Sequence, residues 1–506
     1  MKKLMLALAC ACAVFCAVAE DVTVPAGESV VLQSGTYGKV FVNGTCTIPD
    51  NAVVSCASLM VASGDVQNVV FTIGTNVTLN VTTASKTEFG YDNGAGTFTI
   101  GTNSHMTVTG NMNVRRRIDA NRVSQHMVTL NLLKGAILSG TERDASFDID
   151  FLTVPNASIK TPEGTSIKNL DVTATVNLDE GSELRFSSVR VKARPNTRIN
   201  FKGGRIANNY NNEKSAIVWN NSTYNSSREY NTKLYLTSVG GYPIRLYKNS
   251  HAHYFVNQVD NGGTYVEGDV ELDGISDDGD GDRNGLFYGL KKRYHFNENN
   301  KLLTTKVWFK GSVRPKFLFG DVFPSTVTFF VEKSAKVDLN GFAQTVAGLS
   351  GSGDVRNSGD ATTLTVENAD ASSIGDIGAK VQLVKKGAGS LAVGSVNDAT
   401  TSLDVQAGSL SVANMGAFGT LSLDASAATA DLGALGANAV GTLALANYTV
   451  QSSPSKLPIA YTTIADRSKL AQWAVTLDGE PYTALPLTAQ GGWFWLGKFG
   501  LVLFVQ

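Results

Sequence analysis

The stretch VDLNGFAQTVAGLSGSGDVRNSGDATTLTV, Val337 to Val366, with LVKKGAGSLAV from Leu383 to Val393, decides the fold class. Its apolar residues fall at alternate positions in short runs: Val337 and Leu339, Leu364 and Val366, Leu391 and Val393. Gly, Asn and Ser turns separate the runs, and no segment has the length or period of a helix. This is the pattern of short strands laid into a coiled ladder.

The order of these words carries a resemblance. LNGF-Q-TVAGLSGSG, the NSG-----LTV return and the KKGAGSLAV closure are similar to the autotransporter-associated β-strand repeat of large bacterial surface proteins, over Val331 to Val412. The resemblance implies a solenoid on or outside a bacterial cell, and it transfers no catalytic residues. Autotransporters end in a membrane barrel of at least about 8 strands. Residues 454–506 are too few for one, so the resemblance implies another export route or a partner.

Working outward, the same logic extends to the N-terminal side. A turn followed by a strand recurs in VPAGESVVL, IPDNAVVSC, IGTNVTLNV, IGTNSHMTV, LLKGAILSG, VPNASIKT and LDEGSELRF. The turn residue falls at Gly27, Asn51, Asn76, Asn103, Gly135, Asn156 and Gly181. Gly and Asn are the residues that accept φ > 0 most readily, and such spacing marks a repeat architecture. The expected fold is all-β: a right-handed parallel β-helix (β-solenoid) with a projecting insertion and a small C-terminal β cap. The alternative is an array of β-sandwich domains, whose strands would recur every ~8 to 12 residues. A solenoid also escapes the limit of about 250 to 300 residues at which a single core stops growing.

Composition divides the chain further. Lys2 and Lys3, an apolar run from Leu4 to Val18 and the A-x-A pattern at Ala17 to Ala19 read as a signal peptide, residues 1–19. The protein is therefore expected to be exported, extracellular or on the outer cell surface, with no transmembrane segment in the mature chain. Cys10, Cys12 and Cys16 lie inside the leader without a good lipobox. Residues 20–204 read as an N-terminal solenoid and 326–453 as a second one. Between them, 205–325 is an insertion or a set of elaborated coils, crowded with Asn and holding ten of the fifteen tyrosines. Residues 454–506 gain Pro and Trp and read as a terminal cap, which an open solenoid needs over its last apolar layer.

The net charge of −1 gives no general attraction for nucleic acid or anionic lipid, and Arg115 to Arg117 read as a solvated strand edge. Candidate ligand contacts are Trp219, Tyr224, Tyr230, Tyr235, Tyr242, Tyr247 and Tyr254, flat amphipathic faces for sugar rings, with His251 and His253 beside them. Tyrosine is also favoured in strands simply because it packs there. Asp278, Asp280, Asp282 and Asn284 in DDGDGDRNG place oxygen ligands at alternate positions before a glycine, as Ca²⁺ requires. Lys291 stands where an EF-hand carries its bidentate Glu, so the choice lies between a calcium-stabilised loop and a solvated acidic turn. Cys46 and Cys56 are a disulfide candidate, with two packed thiols as the alternative.

The expected function is a non-catalytic, adhesin-like or structural scaffold that recognises glycan, with self-association as a further expectation. The alternative is a β-helical polysaccharide lyase or glycoside hydrolase. Asp148 with Asp150, and Asp269 with Glu271, share strand faces, but same-face acids are common on solvated strands. Neither a paired-Asp and GHG pattern nor an Arg-centred lyase signature is present, and the reading leans away from an enzyme.

Overall fold

The computed structural model describes residues 19–499 except 84–86, 92–93, 115–126, 150–173, 193–196, 209–216, 221–232, 250–254, 258–262, 268–269, 276–286, 290–300, 304, 312–313, 318–319, 322 and 452. The described chain is all-β with long parallel sheets, a solenoid-like arrangement, and its one helical element is a 3-10 turn, Arg467–Gln472. Among these residues no helix is long and apolar enough to cross a membrane.

The chain visits three parallel ladders in a fixed order. Gly96–Ile100 lies in the first, His105–Val108 in the second and Met112–Val114 in the third. The next three strands, Val128–Leu132, Ile137–Gly140 and Ser146–Ile149, pair parallel with them one by one. Each such set of three forms a rung. The rungs continue through the stretch expected as an insertion or elaborated coils: Lys233–Ser238, Ile244–Asn249 and Phe255–Asn257 pair into the same three ladders. Among the described residues no sandwich unit interrupts the parallel order.

Side chains alternate across each strand, so every rung sends one set of apolar groups inward. In the first ladder Cys46, Phe71, Phe98, Leu130, Val176, Ile199 and Leu236 stand in register and are fully buried. Each apolar side chain in such a column contributes about 1.5–3 kcal/mol by leaving water. Phe98 adds edge-on ring contacts to Phe71 at 4.9 Å and Phe89 at 5.5 Å.

The turns carry the expected signature. Gly27, Asn51, Asn76, Asn103, Gly135 and Gly181 all have positive φ, from 54° to 82°. The N–H groups of Asn51, Asn76, Asn103 and Gly135 donate to the carbonyls of Thr75, Thr102, Lys134 and Glu180 on the following rung at 2.8–2.9 Å. Asn156 lies outside the described residues. Ile137 pairs directly with Glu183, so the Gly135 turn stacks on the Gly181 turn with no rung between them. Asn side chains link the stack at the turns, Asn76 Nδ2 donating to Asn51 Oδ1 at 3.3 Å and Asn43 Oδ1 accepting from Ser63 N at 2.9 Å. The tighter amide ladder is mid-strand: Asn177 Nδ2 donates to Asn131 Oδ1 and Asn200 Nδ2 to Asn177 Oδ1, each at 2.8 Å.

The second half joins the first where Leu349 N and Gly351 N donate to the hydroxyls of Ser372 and Ser373 at 3.3 and 3.2 Å. Two further parallel ladders run from Lys336–Asp338 to Ser455–Ala460 and from Gln344–Val346 to Ala474–Leu477. Pairing then reverses: Trp493–Leu496 runs antiparallel to Ser455–Ala460 and to Leu487–Gln490. Trp473 lies between Phe418 at 5.0 Å and Phe494 at 5.6 Å and donates Nε1 to Ala439 O at 2.9 Å. These antiparallel strands supply partners for a ladder edge that would otherwise be open.

The disulfide candidate is corrected. Cys46 and Cys56 are free, buried thiols. Cys46 is in register with Phe71 in the first ladder, whereas Cys56 pairs with Tyr37 and Val81 in the second. Each sulfur is held in its own column, and burial pushes both thiols up to about 12.

Candidate functional site

On the outward face of the second ladder, four charged residues occupy one strand slot on successive rungs. Glu183 pairs with Arg205, Arg205 with Arg245, and Arg245 with Glu271. Each is flanked on its strand by a buried apolar residue, Leu184, Ile206, Ile244 and Leu246, or Val270. Those anchors turn the charged side chains outward. The next two residues in the column are Trp308 and Phe330, whose rings stack at 5.0 Å.

A cleft of about 230 Å³ opens along this column, lined by Gly181, Ser182, Glu183, Gly203, Arg205, Arg245, Leu246 and Glu271. The side chains that border it are held by one another. Glu183 accepts from Arg185 Nε at 3.0 Å and from Arg205 Nε at 2.8 Å. Burial alone would raise its carboxyl, but the hydrogen bonds and charges of Arg185 and Arg205 outweigh that and hold it below the usual carboxylate range. Arg245 Nη1 donates to Gly203 O at 3.3 Å, and its Nε stands 3.6 Å from Glu271 Oε2. Lys310 reaches the same Glu271 oxygen at 3.1 Å. The cleft therefore offers fixed guanidinium donors between fixed carboxylate acceptors, a set suited to paired hydroxyls or to a carboxylate.

A second cleft of about 420 Å³ lies on the C-terminal half. Thr363, Gln382, Ser402, Asp404, Thr420 and Ser422 line it, mostly uncharged hydrogen-bonding groups in register on adjacent strands.

Of the residues expected to meet ligand, Tyr242 does not line the first cleft but lies beside Gly203, which does. It is 39% exposed, and its ring packs over Gly203, where a Cβ would lie 3.2 Å from it. Trp219, Tyr235 and Tyr247 are not brought together, because their strands belong to the third, first and second ladders respectively. Tyr224, Tyr230, Tyr254, His251 and His253 lie outside the described residues, as do Asp278, Asp280, Asp282 and Asn284 of the calcium motif. Among the described residues no group of three or more His, Cys, Asp or Glu is placed to hold a metal ion.

The charged column itself was overlooked in the sequence, although a signal exists. SEL, GRI, IRL and VEL each set one charge beside an apolar anchor at the start of a strand. Searches against protein-family models, curated proteins and solved structures found no match to this chain.

Proposed function

We propose that the chain is an exported right-handed parallel β-helix of the autotransporter-associated repeat type, serving as a glycan-binding scaffold at or outside a bacterial surface. The observation that carries this reading is the outward cleft in which Arg205 and Arg245 lie between Glu183 and Glu271, with the Tyr242 ring packed over Gly203 of its lining. Guanidinium and carboxylate groups held by neighbours lose little freedom when they bind, so weak contacts repeated along a stiff ladder can sum.

Carboxylate spacing weighs against hydrolysis at this cleft. Glu183 and Glu271 are three rungs apart, about 14 Å at the usual 4.7–4.9 Å strand spacing. Glycoside hydrolysis needs carboxyl groups within about 5 to 9.5 Å. Both glutamates are also engaged by cations.

The test is affinity electrophoresis of residues 20–506 through gels containing acidic and neutral polysaccharides. Retardation by at least one polymer is expected, with about tenfold weaker retardation for Arg245→Met, the loss that follows from about 1.4 kcal/mol. Unretarded migration through every gel would contradict the proposal.

A further inference from the structure

The C-terminal cap carries a second surface that the cleft does not use. On strand Trp493–Leu496, Phe494 and Leu496 are fully buried, which places Trp493 and Trp495 together on the opposite, outward face. Trp493 is 37% exposed and Trp495 is half-buried. Both indoles are braced. Lys456 Nζ stands 3.5 Å from the Trp493 ring centroid, and Trp495 Nε1 donates to Gln490 O at 3.2 Å while its ring meets Phe499 edge-on at 5.1 Å. Inside the cap, Phe494 is clamped by Tyr461 at 5.3 Å and Trp473 at 5.6 Å.

We infer that Trp493 and Trp495 form a stacking platform for a β-linked glucan, with the exposed Lys456 ammonium and Gln490 amide meeting its hydroxyls. A pyranose with equatorial hydroxyls turns C–H bonds toward its two faces and hydroxyls toward its rim. Its face therefore matches an indole and its rim matches the polar border. The rings are immobilised before binding, so little rotamer entropy remains to be lost. A protein partner fits less well, because two tryptophans and Phe499 inside a polar rim fall far short of the roughly 800 Å² per partner of a stable interface.

This inference rests on the glycan-binding reading but uses different residues, so variants separate the two. Cellohexaose and laminarin are titrated against residues 20–506, its Trp493→Ala and Trp495→Ala variants, and Arg245→Met, with intrinsic fluorescence and affinity electrophoresis as readouts. Equal thermal midpoints establish that the exposed substitutions leave the fold intact. The expected result is at least tenfold weaker glucan binding in each tryptophan variant, with Arg245→Met close to wild type. Glucan binding that survives both tryptophan substitutions would overturn the platform and leave the cleft standing. No glucan binding by the wild type would also overturn it, whatever the acidic polymers do. A concentration-dependent dimer abolished by Trp493→Ala, without glucan binding, would assign the patch to self-association instead.

Discussion

Two glycines that look alike in the sequence should respond very differently to alanine. Gly181 sits in a turn at φ +68°, and a Cβ there would find nothing nearer than 3.9 Å. Alanine at 181 therefore meets only left-handed backbone strain, about 1 kcal/mol. Gly101 is buried with no positive φ, but a Cβ there would lie 2.1 Å from Gly74 O and 2.5 Å from Ile73 O on the adjacent rung. Those are backbone atoms, so relief requires the two rungs to separate. Separation strains the Gly101 N–H to Ile73 O bond and the Asn76 N–H to Thr102 O bond, each now 2.9 Å. Overpacking of about 1–3 kcal/mol plus about 1 kcal/mol for a weakened hydrogen bond gives a cost near 3 kcal/mol. Urea titrations read the difference as a shift in midpoint at constant slope. Gly101→Ala should lose about 2 kcal/mol more than Gly181→Ala. Gly181→Asn should be close to neutral, because Asn fills the equivalent slot at 51, 76 and 103. Equal losses at 101 and 181 would refute the claim that rung-to-rung approach dictates Gly101.

Other outcomes follow from the core. In the chain of residues 20–506, Cys46 and Cys56 should resist a thiol reagent in the folded state and react as two thiols on unfolding. Their folded values near 12 lie above the unfolded value of about 8.5. The unfolded state thus loses its protons first, and stability should fall above about pH 8.5 by up to ~1.4 kcal/mol per unit for each thiol. Cys46→Ala should flatten that slope in denaturant titrations across the alkaline range. Lys385 is buried in register with Val366 and Val405, and its Nζ donates to the carbonyls of Lys386, Gly387 and Ala407 at 2.8, 2.7 and 3.1 Å. Lys385→Met should cost about 1–3 kcal/mol by leaving those carbonyls without a donor. Burial pulls the Lys385 ammonium below its ordinary range. The native state then holds fewer protons than the unfolded one until about pH 10.4, and this residue's contribution grows as pH rises through that window. The methionine variant should therefore show a steeper alkaline loss than wild type. Phe98→Ala should cost about 3–5 kcal/mol, measured by the same titration, because Phe71 and Phe89 both lose a ring partner.

The fold class was legible because its constraint is local. A left-handed turn admits Gly or Asn, and strand alternation follows at once, so Asn51, Asn76, Asn103 and Gly135 announce their rungs one at a time. The Gly135 turn stacks straight on the Gly181 turn, although the sequence offers Asn156, outside the described residues, with the same word between them. Local turn chemistry does not reveal which turns share a stack. The same limit hid the cleft. Glu183, Arg205, Arg245 and Glu271 become neighbours only once rungs of unequal length are stacked. Trp219, Tyr235 and Tyr247 look clustered along the chain, yet their three consecutive strands, the last of one rung and the first two of the next, belong to three ladders. Trp493 and Trp495 were read as cap residues. Only antiparallel pairing, with Phe494 turned inward, shows that their own side faces out.

The central claim, a scaffold that binds glycan without cleaving it, is tested most directly by one experiment. Residues 20–506 are incubated with a panel of plant, algal and host polysaccharides, and polymer size and protein retention are read together by size-exclusion chromatography. The account predicts that protein co-elutes with at least one polymer whose size does not change. Shortening of any polymer, or separate elution from all of them, would contradict it.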